Sequence, residues 1–243
     1  MNARLEVTAP EVTLLNPEQA IGQIAVQLPG STAVFRRLKL DFCCGGQISL
    51  RQAVADKRLD LDAVVSELSG LQRPDTPEGI REPVALIDHI LSRYHAVHRG
   101  QLPELIRMAR RVEAVHRDNP ATPHGLADVL EDMEQELLSH MQKEEEILFP
   151  LLKSGGNLPV DQPIHMMRSE HVEHGGALER VLELTQDATP PQGACNTWRA
   201  LYAGIAQFRD DLISHIHLEN NVLFPQFEVS APSAGCCGTC SCG

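Results

Sequence analysis

The sequence predicts an all-α chain: an up-down-up-down four-helix bundle preceded by a small helical N-terminal domain. Three observations predict it. Four long helical segments occupy residues 81–117, 123–150, 162–186 and 194–228, each parted from the next by a proline-containing break. Aromatic residues make up only 4% of the 243, so the core must rest on Leu, Ile, Val and Ala, which suits packed helices better than a β-sandwich. The third observation is a duplicated segment, described below, that makes two helical hairpins out of the four helices.

Taken in order, residues 17–69 read as short helices. Pro17-Glu18 opens an apolar-periodic run to Leu28, Ser31 or Thr32 caps the next run to Leu38, and Asp60 caps LDAVVSEL. Gly70 to Gly79, with Pro74 and Pro77, breaks the pattern and reads as a linker. The long helices follow, joined by DNPATP, then LPVDQP after Gly155-Gly156, then TPPQG. The closing APSAGCCGTCSCG has no periodicity and reads as a tail. The expected domains are therefore 1–75 (small helical), 76–230 (bundle) and 231–243 (flexible, cysteine-rich).

Charge and cysteines narrow the class. A net charge of −12 without a basic cluster argues against nucleic acid as a partner. No apolar signal region opens the chain and no run of eighteen apolar residues is present, so the expectation is a cytoplasmic protein with no membrane partner. Cys43-Cys44 are adjacent, and Cys236, Cys237, Cys240 and Cys242 crowd the last eight residues. Neighbouring cysteines cannot staple distant parts of a fold, so they read as metal-binding or redox-active thiols.

The duplication carries the chemistry. Residues 136–150 read ELLSHMQKEEEILFP and residues 211–225 read DLISHIHLENNVLFP, with seven of fifteen positions identical and four more conservative. Upstream of each lies a shorter match, HAVHRGQL from His95 and HVEHGGAL from His171. Residues four apart share one helix face, so His140 with Glu144, and His215 with Glu219, each offer an imidazole and a carboxylate to the same side. Counted from their loops, His140 and a histidine of 171–174 share a depth with His215 and one of 95–98. Spacing alone leaves His95 against His98, and His171 against His174, open. Four histidines and two glutamates suit iron, manganese or zinc rather than calcium or magnesium. Two ions bridged by Glu144 and Glu219 would keep open coordination positions. Glu136 and Asp211, at equivalent places four residues before each histidine, are expected to accept the imidazole N–H. Phe149 and Phe224 read as plain core, and His89, His116, His124 and His217 as surface or structural.

The bundle resembles the hemerythrin HHE family. Together with Asp41-Phe42-Cys43-Cys44-Gly45-Gly46 it resembles the di-iron proteins for repair of iron centres, the RIC family of YtfE/ScdA type, over roughly residues 15–228. That resemblance chooses the first histidine of each upstream pair. It implies a non-haem centre of two iron ions on His95, His140, Glu144, His171, His215 and Glu219. It further implies a stress-response role in repairing iron–sulfur clusters damaged by nitrosative or oxidative stress, with damaged iron–sulfur proteins as partners. Glu136 and Glu170 are implied to line a route to the irons. Cys43 and Cys44, on an expected exposed turn, are implied to deliver thiolate, persulfide or a redox equivalent.

The expected function is thus a non-enzymatic, iron-supplying repair factor. The competing readings are a di-iron protein that reduces nitric oxide, and one that binds or senses nitric oxide or oxygen. No flavin or nicotinamide fingerprint is present, so electrons for a reductase would come from a partner. A homodimer is compatible with the sequence. The four tail cysteines depart from the family pattern and read as a flexible tail of weak metal affinity.

Overall fold

The computed structural model describes residues 15–28, 30–71, 82–155 and 159–228, and every regular element among these is helical. The tail cysteines and nearly all of the 70–79 linker lie outside the described residues. The chain divides into two compact units, Met1–Gly79 and Ile80–Gly243. No helix among the described residues is long and apolar enough to cross a membrane.

Among its described residues the first unit holds four short helices: α1 (Ile21–Gln27), α2 (Ser31–Arg37), α3 (Leu50–Asp56) and α4 (Leu61–Ser69). Asp60 caps α4 as expected, its carboxylate accepting the N–H of Ala63 at 3.0 Å, and Ser49 does the same for α3 through Gln52. The expected cap of α2 is corrected. The helix starts at Ser31 itself, after a left-handed Gly30, and the Ser31 hydroxyl donates back to the Leu28 carbonyl at 2.6 Å. A buried hydroxyl satisfied by the preceding turn is no longer available to cap the next one. Ile21, Ile24, Phe35, Phe42, Leu50, Val54 and Leu68 form the core of this unit, with Phe35 and Phe42 rings 5.7 Å apart.

The second unit is the bundle. Its first helix, α5, runs as Pro83–Ile90, a π turn at Leu91–His95, and Ala96–Val115. Helix α6 runs as Leu126–Lys143, a π turn at Glu144–Leu148, and Phe149–Lys153. Helix α7 spans Asp161–Leu184. Helix α8 runs as Asn196–Leu218, a π turn at Glu219–Leu223, and a 3₁₀ turn at Phe224–Gln226. Helix α5 packs on α6 and on α8, and α6 packs on α7. Apolar residues at helical spacing face inward: Leu102, Leu105, Ala109 and Val112 from α5 meet Leu130, Met133 and Leu137 of α6 in the buried interior. At the end where the chain enters, Leu86, Ile90, Leu148, Phe149, Ile164, Met167, Leu223 and Phe224 close the bundle with an apolar plug. The polar site described next sits just inside that plug.

Candidate metal centre

Three of the four bundle helices carry a π turn at a predicted ligand: one ends at His95, one begins at Glu144 and one begins at Glu219. A π turn inserts an extra residue into the α pattern and re-aims the side chains around it, which is why such turns concentrate at functional sites. The two that begin at the glutamates precede Phe-Pro, where a proline has no N–H to give the α pattern.

His95, His140, Glu144, His171, His215 and Glu219 converge, and all six are buried. Their Nε2 and carboxylate oxygens form two overlapping groups that share both glutamates: His95, His215, Glu144 and Glu219 in one, His140, His171, Glu144 and Glu219 in the other. Nε2 of His95 lies 3.2 Å from Nε2 of His215, and that of His140 lies 3.1 Å from that of His171. Glu144 Oε2 is 3.4 Å from both His95 and His140. Glu219 reaches His171 at 3.1 Å with Oε2 and His215 at 3.0 Å with Oε1. Each carboxylate thus bridges the two groups, as the duplicated spacing led one to expect.

The electrostatics call for cations. Both oxygens of Glu144 are buried without a hydrogen-bond partner. Burial, reinforced by the charge of Glu219, holds the Glu144 carboxyl well above the usual carboxylate range. Burial pushes Glu219 up as well, but the charge of His215 and hydrogen bonds from His171 and His215 outweigh it and hold Glu219 low. Burial, and next the neighbouring His171, push His140 far below an ordinary histidine, so its imidazole is neutral. A neutral His140, three further buried imidazoles and two desolvated carboxyl groups converging on two points are a donor set that divalent ions complete. The residues present therefore fit a two-ion centre.

Behind the donors stand groups that hold three of the imidazoles by Nδ1. His95 donates to Glu145 at 2.7 Å, His140 to Glu170 at 2.8 Å and His171 to Asn220 at 2.9 Å. This corrects the expectation for Glu136 and Asp211. Neither bonds a ligand histidine: Asp211 is held by Arg93 at 2.6 Å, and both its Oδ2 and Nδ1 of His215 are buried without a partner. Glu136 is exposed and lines an open cavity, and Asp211 is engaged by Arg93. Glu145 and Asn220 directly follow the bridging glutamates in each repeat, a position where both copies carry a side-chain oxygen; that shared feature was the available signal. Phe149 and Phe224 are core, and they also lie on ligand rings: Phe149 on His95 (5.7 Å) and Phe224 on His171 (6.1 Å, planes 4° apart).

His98 and His174, the second members of the upstream pairs, do not join either group. Both are buried, and burial pulls their pKa down to about 2 and about 4, His215 and then His95 adding to the first and His171 and then His215 to the second. Of the remaining histidines, His116 lies tilted against Trp198 with Nε2 3.3 Å from Cys195 Sγ, and Nδ1 of His217 accepts from Asn221.

In the first unit, Asp41 organises the cysteine turn. Its carboxylate accepts the backbone N–H of Cys43 (3.2 Å), Cys44 (2.9 Å) and Gly45 (2.9 Å). A Cβ on Gly45 would meet the Asp41 carboxylate at 3.0 Å and its carbonyl oxygen at 3.2 Å, so a larger residue there would crowd the wrap. The two sulfurs are 3.7 Å apart and half-buried rather than fully exposed. The hydrogen bond with Cys44, burial, and the charges of Cys44 and Asp41 push the Cys43 thiol far up.

A four-helix bundle with two histidine–glutamate groups sharing both carboxylates defines a hemerythrin-like, metal-binding protein. Residues 86–227 match the hemerythrin HHE cation binding domain, and residues 17–72 match the ScdA N-terminal domain, described as a domain of unknown function (DUF542). The chain is 48% identical over 212 residues to the iron-sulfur cluster repair protein YtfE of Dickeya chrysanthemi strain Ech1591, covering 86% of this chain and 96% of that one. It is 50% identical over 211 residues to the YtfE of Yersinia pseudotuberculosis serotype O:1b, again covering 86% and 96%. The chain belongs to the YtfE family of iron–sulfur cluster repair proteins.

Proposed function

We propose that the bundle holds two iron ions and that the protein, in the cytoplasm, helps restore iron–sulfur clusters damaged by nitrosative or oxidative stress by supplying iron. One observation supports this above the rest. The His140–His171 group is linked to the surface by a polar connection, since Glu170 bonds His140 and also lines an open cavity with Glu136. A centre built only to hold metal would be sealed on all sides, as the apolar plug seals it below.

The ions supply open coordination and exchangeable iron when bound. The chain's own residues do the rest. Glu144 and Glu219, shared by both groups, would hold the two ions and offset their charge. Glu145, Glu170 and Asn220 orient the imidazoles and fix the tautomer that presents Nε2. Cys43 and Cys44 act as the thiol partners of the exchange, their turn set by Asp41.

The test is reactivation of a nitrosylated or oxidised iron–sulfur enzyme. Anaerobically purified, iron-loaded protein is expected to restore activity faster than equal free iron and thiol, and equal rates would overturn the reading. Elemental analysis should find two irons per chain. Multiple-turnover formation of nitrous oxide would instead favour a nitric oxide reductase, and tight reversible gas binding without iron loss would favour a sensor.

A further inference from the structure

The end of the bundle away from the ion centre holds a second pairing of reactive side chains. Helix α5 ends at Val115 with His116 as its C-terminal cap, and helix α8 begins at Asn196 with Cys195 as its N-cap. The two helices pack together and bring these caps into contact: Nε2 of His116 lies 3.3 Å from Cys195 Sγ. Each is about 30 Å along its helix from the ligand histidine it carries, His95 or His215, so the pair takes no part in the metal centre. Local bonds hold both residues in place. The His116 N–H donates to the Val112 carbonyl at 2.9 Å, and the His116 carbonyl accepts the Thr122 hydroxyl at 2.6 Å. The imidazole rests against the buried Trp198 ring, centroids 5.0 Å apart. The Cys195 carbonyl accepts the Arg199 N–H at 3.0 Å.

A cavity of about 260 Å³ lies beside the pair, lined by Arg111, Val115, Asn196 and Thr197 as well as by His116 and the half-buried Cys195. Its wall favours an anion. Arg111 is exposed and makes no ion pair among the described residues. Asn196 and Thr197 belong to the first turn of α8, whose N–H groups have no intrahelical acceptor, and the Cys195 side chain makes no capping bond to them. A serine or aspartate at that place would cap the turn; a cysteine sulfur is a weak acceptor, so capping does not explain its presence. A proton passed from Sγ to Nε2 leaves the anion at the positive end of α8 and the cation at the negative end of α5. Both helix dipoles favour that placement.

We propose that Cys195 is a covalent modification site, a nucleophilic thiol with His116 as its base that takes up a small anionic thiol as a mixed disulfide. The co-reactant is a low-molecular-weight disulfide bearing carboxylates. His116 accepts the thiol proton, and the Cys195 sulfur attacks one sulfur of that disulfide. A new S–S bond forms as the old one breaks; the departing thiolate leaves with the electron pair and takes the proton from His116. Cys195 is oxidised and one half of the reagent is reduced, so the exchange balances without a further oxidant. Arg111 and the first turn of α8 hold the carboxylates of the adduct. The site goes beyond the iron-supplying reading and does not depend on it.

The experiment measures adduct formation on the full-length, iron-loaded protein under anaerobic conditions, by mass spectrometry of the Cys195 peptide. Oxidised glutathione serves as the anionic disulfide and cystamine as a cationic one. Each rate is divided by that of the same peptide in concentrated urea, which cancels the reactivity of the reagent. Cys195 of the folded parent should react with oxidised glutathione roughly tenfold faster than in urea. His116→Gln should remove most of that gain. Arg111→Gln, a change at an exposed side chain, should slow oxidised glutathione about threefold to fivefold, the size of one surface ion pair, and leave cystamine unchanged. A folded-to-urea ratio of about one or less in the parent would overturn the proposal, whether or not the His116 variant folds. So would a His116→Gln rate within about twofold of the parent, equal slowing of both reagents in Arg111→Gln, or an internal disulfide to a tail cysteine in place of retained glutathione. No client enzyme and no iron transfer enter this assay, so its failure and the failure of cluster repair give separate results.

Discussion

Tyr94 lies flat against His215, ring planes 3° apart and centroids 5.3 Å apart, at the place where the second hairpin carries Glu170. The stack covers one ligand imidazole with an apolar face and joins it to the plug of the bundle. Tyr94→Ala should cost about 3 kcal/mol, the usual range for truncating a buried aromatic, whereas Tyr94→Phe keeps the stack and stays within about 1 kcal/mol. Urea unfolding of the metal-loaded variants checks this; parent-like stability in the alanine variant would contradict it.

Metal removal leaves Glu144 and Glu219 facing each other in a dry site. Bound ions therefore stabilise the folded chain by mass action, about 4 kcal/mol at a thousandfold excess over Kd. Calorimetry should show an unfolding midpoint that rises with free Fe(II) or Co(II) and falls on chelation. Glu144→Gln, which removes one bridging charge, should bind at most one ion tightly and flatten that dependence.

The metal-free protein should be acid-sensitive through His98 and His174. Their folded pKa values, about 2 and about 4, lie below the ordinary 6.5, so the unfolded chain binds more protons between those values. Stability is present above pH 6.5 and is lost as pH falls toward 4, by up to about 1.4 kcal/mol per pH unit for each histidine. Urea titrations from pH 7 to 4 should show the parent taking up about one proton more on unfolding than His174→Gln. An unchanged slope would show that His174 does not titrate this way.

The Cys43 thiol is held protonated first by its bond with Cys44, then by burial and the charges of Cys44 and Asp41. Both Cys44→Ser and Asp41→Asn should lower its pKa and speed alkylation by iodoacetamide at pH 8, the first more than the second. Mass spectrometry of the modified peptide reads the rates; slower alkylation in either variant would refute the account.

The helical architecture and four of the six candidate donors were legible from periodicity, whereas His95 and His171 were chosen over His98 and His174 by the family resemblance. His140 and Glu144 share a face wherever a helix forms, and the second copy at His215 and Glu219 marks that face as shared. The partners of the imidazole Nδ1 atoms were not legible. Glu145 and Asn220 meet His95 and His171 across helices, after a π turn has rotated the backbone out of α register, so spacing pointed instead to Glu136 and Asp211.

By itself, then, the sequence determined the all-helical class, the duplicated hairpin and the donors His140, Glu144, His215 and Glu219, because helix period and repeat are properties of the chain alone. Tertiary structure decided which nitrogen of each imidazole faces the shared carboxylates, and that both carboxylates belong to both groups. It also decided that Tyr94 lies on His215, while Glu170 bonds His140 and lines a cavity with Lys143 and His174. Those relations join residues as far apart as 120 positions, as between His95 and His215, and only packing brings such residues within bonding distance.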